Sequence, residues 1–471
     1  MHVYVDVYAH AHGPTHVDVS MQHAGKKLPP IYNKGLVLPL IGAAPQFLTD
    51  PLAMARKAEK SYGDVFTAEV FGQRLTFMIG PEAQEHCFRA RDDELSQKEA
   101  YEFTVPTFGE GIIYDCDVDK RTEQIKLVTN SLHTTALSQY VPMMNEEAEL
   151  YFAKWGKEGE VDIYQALSEL IILTASRCLM GKEIRNELFE EVSELYATLD
   201  KGMTPISFFA PYFPMPAHWA RDKARIRMQE VFAGVMQRRL KENRRENDVL
   251  QVFMDAIYKD GTKLPPHEVT GLMICLLFAG QHTSSVTSTW TGLYLLQDKG
   301  KVLKELVEEQ KRHAKVDHDS IKDMPLLHAA VSEALRLQPP LIFLMREVLE
   351  DREYKGMTLP KGDKIFLSPT LAGRRADVFT NPNEYDPYRF LAPREEQRKF
   401  SHGWLGFGGG RHRCIGENFA YMQIKTIWAY LLRNFELEME GGLPQPNYEA
   451  LVVGPHHHQC FVKYKRRAAP L

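Results

Sequence analysis

Residues 407–416 read Phe-Gly-Gly-Gly-Arg-His-Arg-Cys-Ile-Gly. A glycine-rich loop closes on a lone cysteine, Cys414, and an apolar-periodic stretch follows from Glu417 to Trp428. That periodicity predicts a helix, which puts Cys414 at a helix N-terminus beside Arg411 and Arg413. The partial positive charge of a helix start and two guanidinium groups favour a thiolate over a thiol. The glycines let backbone come close to something large and flat. A buried thiolate under a close-packed loop is what an axial haem ligand needs, and thiolate ligation pushes electron density toward O–O cleavage. A structural cysteine after a tight turn is the alternative for this segment taken alone.

The spacing Phe-x-x-Gly-x-x-x-Cys-x-Gly resembles the haem-binding loop of the cytochrome P-450 superfamily. The resemblance implies haem b with Cys414 as ligand to its iron, framed by Phe407, Gly408 and Gly416. It also implies a mainly α fold with a minor β-sheet, the haem lying between a long central helix and the cysteine loop.

The chain has 471 residues, 57 Lys and Arg against 62 Asp and Glu, and a net charge of -5, which leaves no nucleic-acid footprint. No linker, low-complexity run or internal repeat divides it, so residues 35–471 read as one haem-thiolate monooxygenase domain behind an irregular His-rich segment, 1–34. That segment shows no signal peptide or membrane anchor, and the apolar run Gly35–Ala44 is too short to span a bilayer. The mixed-sign runs Gln237–Asn247 and Lys304–Lys315 read as solvated helix faces. Six cysteines without a Cys-x-x-Cys suggest neither a zinc site nor a disulfide framework and fit a reducing compartment. His456, His457 and His458 read as a loop.

Helical periods recur at Asn145–Trp155, Val161–Met180, Leu188–Leu199, Asp222–Lys241, Glu305–His313 and Met324–Leu337, the last stopped by Pro339 and Pro340. Asp64–Ile79 reads as a hairpin turning at Gly72, and short strands are expected between Leu341 and Leu367. Gly271–Gln297 carries no Asp, Glu, Lys or Arg, but its polar midsection argues for a helix buried in a globular core rather than a lipid-facing span.

Two motifs extend the haem reading. In Glu333-Ala-Leu-Arg336 the charges share one face of an otherwise apolar helix, so the pair is expected to be buried, with Arg389 as its third member and a structural role. In Ala279-Gly-Gln-His-Thr283, a glycine loosens the long helix and Thr283 offers a hydroxyl that can orient water for proton delivery. The superfamily usually has an acid where this chain has His282.

Ala279-Gly-Gln-His-Thr-Ser-Ser285 is similar to the sterol 14α-demethylase family. So are Tyr101-Glu-Phe-Thr-Val-Pro-Thr-Phe-Gly-Glu-Gly-Ile-Ile-Tyr-Asp115, Arg411–Tyr421 and the ending Lys463–Arg467. The resemblance runs from about Gly35 to Arg467, and Ile171–Leu179 looks like the plant and algal branch. It implies three successive oxygenations that remove the 14α-methyl group of a sterol as formic acid, with electrons from NADPH through a flavoprotein reductase. It implies Tyr101, Tyr114, Arg346 and His412 around the haem propionates, Arg121 and Lys126 being weaker candidates. It implies an apolar lining of Phe103, Phe108, Ala279, Leu341, Phe343 and Met345, and Asp200 paired with His282 to link solvent to Thr283. Azole inhibitors, a membrane surface and the cytoplasmic face of the endoplasmic reticulum are implied as well. In the family, Phe at position 103 goes with C4-monomethylated substrates of the obtusifoliol type, so obtusifoliol is expected to be preferred over lanosterol. Pro205–Pro216, apolar and broken by four prolines, is expected to touch the membrane. A haem-thiolate oxygenase of another lipid and a non-enzymatic haem binder are the remaining readings.

Overall fold

The computed structural model describes residues 25–32, 41–298, 301–448 and 450–471. The expectations for residues 1–34 and for Gly35–Ala44 fall largely outside them. The chain groups into two compact units, residues 1–100 with 345–368, and residues 101–344 with 369–471.

Ten strands occur among the described residues: β1 (Val65–Val70), β2 (Gln73–Met78), β3 (Leu95–Ser96), β4 (Glu158–Asp162), β5 (Leu344–Val348), β6 (Arg352–Tyr354), β7 (Met357–Leu359), β8 (Lys364–Leu367), β9 (Phe435–Glu438) and β10 (Phe461–Arg466). In the first unit the main sheet has the order β1-β2-β8-β5-β3. β1 and β2 form the expected hairpin, Val65 opposite Met78 and Val70 opposite Gln73. Its two-residue turn places Phe71 at φ 49° and Gly72 at φ 74°, the left-handed pair that matches the strands' right-handed twist. Phe66 and Phe77 stack across the pair at 4.9 Å, and Asp363 accepts from Arg74 Nε at 2.7 Å and Thr76 Oγ1 at 2.6 Å. The buried carboxylate is thereby satisfied.

The second unit is predominantly helical. The expected 145–155 helix begins earlier, at Thr134, and continues through Pro142 to Phe152. The expected 161–180 helix is three pieces: β4, a helix Ile163–Ala175 capped by Asp162, and a π-turn Ser176–Met180. β4 forms because Glu158–Asp162 pair with β10, a contact no local periodicity could announce. The other expected helical periods fall in the helices Phe189–Lys201, Pro216–Lys241, Lys301–Lys311 and Pro325–Leu337.

The longest helix among the described residues is Pro266–Gln297, and 67% of its most apolar 18-residue stretch is buried within the protein, as expected of a core helix. It packs on the helix Glu417–Asn434, where Trp428 Nε1 donates to the Ser288 carbonyl at 3.1 Å and Oγ at 3.0 Å. A Cβ at Gly292 would lie 2.3 Å from the Trp428 ring, so only glycine admits this approach.

The two mixed-sign runs are not wholly solvated. Arg239 is buried, clamped by Glu183 (Nε 2.8 Å) and Asp248 (Nη2 2.7 Å). Glu309 is buried too, accepting from the Leu326 and Leu327 amides at the start of the helix Pro325–Leu337. In each case the charge enters the core because specific donors or acceptors meet it there.

Candidate functional site

The cysteine loop is held from both sides. The Phe407 ring meets Trp404 edge-on at 6.2 Å and Tyr421 at 5.2 Å, and its carbonyl accepts from the Cys414 amide at 2.9 Å. Gly408 has φ 70°, and a single 3₁₀ turn, Gly410–His412, leads to Cys414. Gly416 caps the helix that follows, and its Cβ position lies 3.8 Å from Cys414 Sγ.

Cys414 presents an exposed side chain at the end of this turn. Its thiol is also shifted upward: surrounding protein bulk is the largest influence and raises it, while the Gly416 amide lowers it, Glu417 raises it and Arg413 lowers it. Arg413 pairs with Glu417 at 2.7 Å. Among the described residues no group of three His, Cys, Asp or Glu side chains stands ready to hold a bare ion. A single thiolate is what a haem iron takes from a protein.

The long helix supplies a face for such a group. Most of it is buried, yet Ala279 is exposed and Cys275, Leu276, Phe278, Gly280, His282 and Thr283 are only partly covered. These positions recur with the helical period, so they form one partly open stripe on an otherwise buried helix. Thr283 Oγ1 donates back to the Ala279 carbonyl at 2.5 Å. A flat apolar ligand with an iron at its centre suits this stripe and the exposed Cys414.

The segment 101–115 brings its aromatic residues together. Tyr101 stacks on Tyr114 at 4.9 Å and lies 6.0 Å from Phe103, whose buried ring packs on Phe208 at 5.6 Å. Phe108 meets Phe278 of the long helix edge-on at 5.8 Å. His412 is half-buried, Leu341 exposed and Phe343 half-buried. Met345 and Arg346 lie on β5 in the other compact unit, both buried, with Arg346 Nη1 donating to the Met345 carbonyl at 2.6 Å. Arg121 is buried in the helix Val118–Ser131.

Sequence reading missed what anchors this segment. Gln124 donates to the Gly111 carbonyl at 2.9 Å and accepts from the Ile113 amide at 2.8 Å. It also donates to the Tyr258 hydroxyl at 3.1 Å, and Tyr258 in turn donates to Glu268, which binds Lys120 Nζ at 2.6 Å. The four side chains come from three stretches of sequence and tie the loop to the start of the long helix. Glu268 next to Pro265 and Pro266 was the one local signal, an acid in a first helical turn.

The buried charge cluster is dense. Glu333 accepts from Arg336 Nε at 2.6 Å and Nη2 at 2.7 Å, from Arg389 Nε at 2.9 Å and from the Asp386 amide at 2.9 Å. Arg389 reaches Glu396 at 2.8 Å and the Thr380 carbonyl at 2.7 Å, and Arg336 reaches the Pro382 carbonyl at 2.6 Å. Both guanidinium groups lie over the Phe379 ring, at 5.0 and 6.0 Å.

His282 Nε2 sits 3.1 Å from Asp200 Oδ1, in ion-pair range, although it makes no aligned hydrogen bond. Asp200 is at the C-terminal end of Phe189–Lys201 and is 43% exposed, so the pair joins solvent to the long helix.

The cytochrome P450 family model matches residues 33–461. A sterol 14-demethylase of Arabidopsis thaliana is 47% identical over 453 residues, 94% of this chain and 92% of that protein. An obtusifoliol 14-alpha demethylase of Triticum aestivum is 47% identical over 440 residues, 91% of this chain and 97% of that protein. A lanosterol 14-alpha demethylase of Mus musculus is 38% identical over 455 residues, 94% of this chain and 89% of that protein. Among solved structures, the retinoic acid-bound cyanobacterial CYP120A1 superposes with a TM-score of 0.83 at 22% identity, covering 94% of this chain and all of that one.

Proposed function

Because the chain belongs to the cytochrome P450 family and, within it, to the sterol 14-demethylases, we propose that it removes the 14α-methyl group of a C4-monomethylated sterol. It is a haem-thiolate monooxygenase supplied with electrons from NADPH through a reductase. Haem supplies the oxygen activation, and Cys414 is the residue that ligates it. What supports this assignment is the exposed Cys414 at the foot of one helix together with the open stripe around Ala279 and Thr283 on another.

The remaining residues act around that group. Tyr101, Tyr114 and His412 offer hydroxyl and ring N–H donors for carboxylate side chains of the macrocycle. Phe103, Phe108, Phe343 and Leu341 give the apolar walls that a sterol needs, and Ala279 keeps the long helix low enough for the ring system to pass. Asp200 takes protons from solvent, His282 carries them inward, and Thr283 holds the water that releases them. Glu333, Arg336 and Arg389 fix the polypeptide around residues 373–396, which precedes the cysteine loop.

Triticum aestivum and Arabidopsis thaliana relatives exceed the animal relative in identity, and Phe103 crowds the pocket where a smaller aliphatic residue would not. Both favour obtusifoliol over lanosterol. A membrane surface is the second partner we infer. Ile206, Tyr212, Phe213 and Trp219 are 48%, 62%, 54% and 56% exposed on consecutive segments, and apolar groups left in water at this density suit a lipid interface. Endoplasmic reticulum and azole binding follow from the same family reading.

The test is reconstitution with haem, reductase and NADPH, with obtusifoliol, lanosterol and a sterol lacking the 14α-methyl group. Formate and a C14–C15 double bond should appear with the first two only. Turnover of neither would overturn the assignment.

A further inference from the structure

Two buried polar atoms near the Asp200–His282 pair lack aligned partners. Tyr196 is 4% exposed and its hydroxyl meets no hydrogen-bonding group. His282 Nε2 is likewise covered and unaligned despite its 3.1 Å approach to Asp200 Oδ1. Tyr196 precedes Asp200 by one helical turn, so the two share a face, and its ring lies 5.5 Å from the His282 ring and 4.6 Å from Phe278. An unsatisfied buried hydroxyl is costly and rare, whereas a water in a polar gap needs two to four partners. The Tyr196 hydroxyl, Asp200 and His282 Nε2 are the three that these two helices offer.

We propose that Tyr196 is a positioning residue of the Asp200–His282 pair, its hydroxyl joining Asp200 and His282 Nε2 in holding one ordered water between the helices Phe189–Lys201 and Pro266–Gln297. This rests on the reading that Asp200 and His282 deliver protons. The phenol is held well above its ordinary range, first by burial and then by the charge of Asp200 and by Tyr164, so it stays protonated and donates. Tyr164 faces the group from the helix Ile163–Ala175, its own phenol pushed up to about 12 by burial, Cys460 and Asp200, and it stacks on His457. Asp200 accepts a proton from solvent and passes it to the water, and the water protonates His282 Nε2. The imidazole then releases its other ring proton, and Tyr196 neither gains nor loses one.

The experiment uses the haem-loaded enzyme with its reductase. Tyr196→Phe keeps the ring and removes the hydroxyl. We expect the sterol-induced spectral shift to be unchanged, formate per NADPH to fall severalfold, and no further fall when Tyr196→Phe is added to His282→Ala. In crystals of the unmodified enzyme a water should bridge Tyr196, Asp200 and His282, and it should be absent from the Phe variant. Undiminished coupling in Tyr196→Phe, effects that multiply with those of His282→Ala, or no bridging water would overturn the proposal. If His282→Ala itself couples fully, the proton-delivery reading fails first and leaves nothing for Tyr196 to position. Should the Phe variant not take up haem, difluorotyrosine at position 196 keeps the shape and makes the phenol a stronger acid. An unchanged solvent isotope effect on coupling would then overturn the proposal.

Discussion

Arg389 Nε lies 2.9 Å from Glu333 Oε1, and neither side chain is more than 1% exposed. Glu333 is also the acceptor for Arg336, so one carboxylate is shared by two cations that no solvent reaches. Replacing Glu333 with Ala leaves both guanidinium groups with carbonyls and only Glu396 as a counter-charge. Removing one partner from a buried pair costs about 3–5 kcal/mol. We expect Glu333→Ala to reduce haem content sharply and to lower the free energy of unfolding by that margin. A variant that unfolds like the parent would show that the cluster is dispensable.

Cys414 is exposed and its side chain holds up no part of the core. Cys414→Ala should therefore keep the far-ultraviolet dichroism of the parent while losing the thiolate-type spectrum of the ferrous carbon monoxide complex. Retention of that spectrum would remove the basis for assigning the iron ligand.

Phe103 packs on Phe208 at 5.6 Å beside the Tyr101–Tyr114 stack. A second C4-methyl group meeting this ring costs roughly 1–3 kcal/mol in discrimination. We expect kcat/KM for obtusifoliol to exceed that for lanosterol, and Phe103→Leu to narrow the ratio. Equal values in the unmodified enzyme would refute the steric account and leave the demethylase assignment in place.

Tyr258 connects Gln124 to Glu268. Tyr258→Phe deletes a donor to a carboxylate, a loss of about 1.5–3 kcal/mol. Because the network ends on Gly111 and Ile113, we expect weaker sterol binding in a spectral titration, with an unchanged carbon monoxide spectrum. Unaltered sterol affinity would show that the loop is held by its aromatic contacts alone.

Lys425 is buried, and its pKa is pushed down to about 8 by burial, against the raising effects of Glu309 and Asp323. A depressed lysine binds fewer protons folded than unfolded between about 8 and its ordinary value. Stability from this group therefore rises with pH across that window, and the penalty is complete below it. Lys425→Met should be more stable than the parent at neutral pH, with the advantage shrinking as pH climbs above 8. A constant difference across that range would mean that Lys425 finds its charge well compensated.

Much of the site was legible residue by residue. The loop 407–416 carries its meaning in glycine spacing and one sulfur, which are local properties. Glu333 and Arg336 sit three apart, so a helix alone brings them together, while Arg389 as their third member rested on the superfamily's arrangement. The contact of His282 with Asp200 rested on family likeness, since 82 positions separate them and no periodicity spans that interval. Gln124, Tyr258 and Tyr196 were invisible. Each looks like an ordinary helix or loop residue until the elements pack.

The sequence by itself determined the cysteine loop, the buried character of 271–297, the hairpin at Phe71–Gly72 and the family, because each depends on residues near one another in the chain or on a pattern of fixed spacing. Tertiary structure alone decided that Glu158–Asp162 is a strand, since its hydrogen bonds go to residues 461–465. It alone decided that Arg239 and Glu309 leave solvent, since burial of a charge depends on partners brought from elsewhere in the fold.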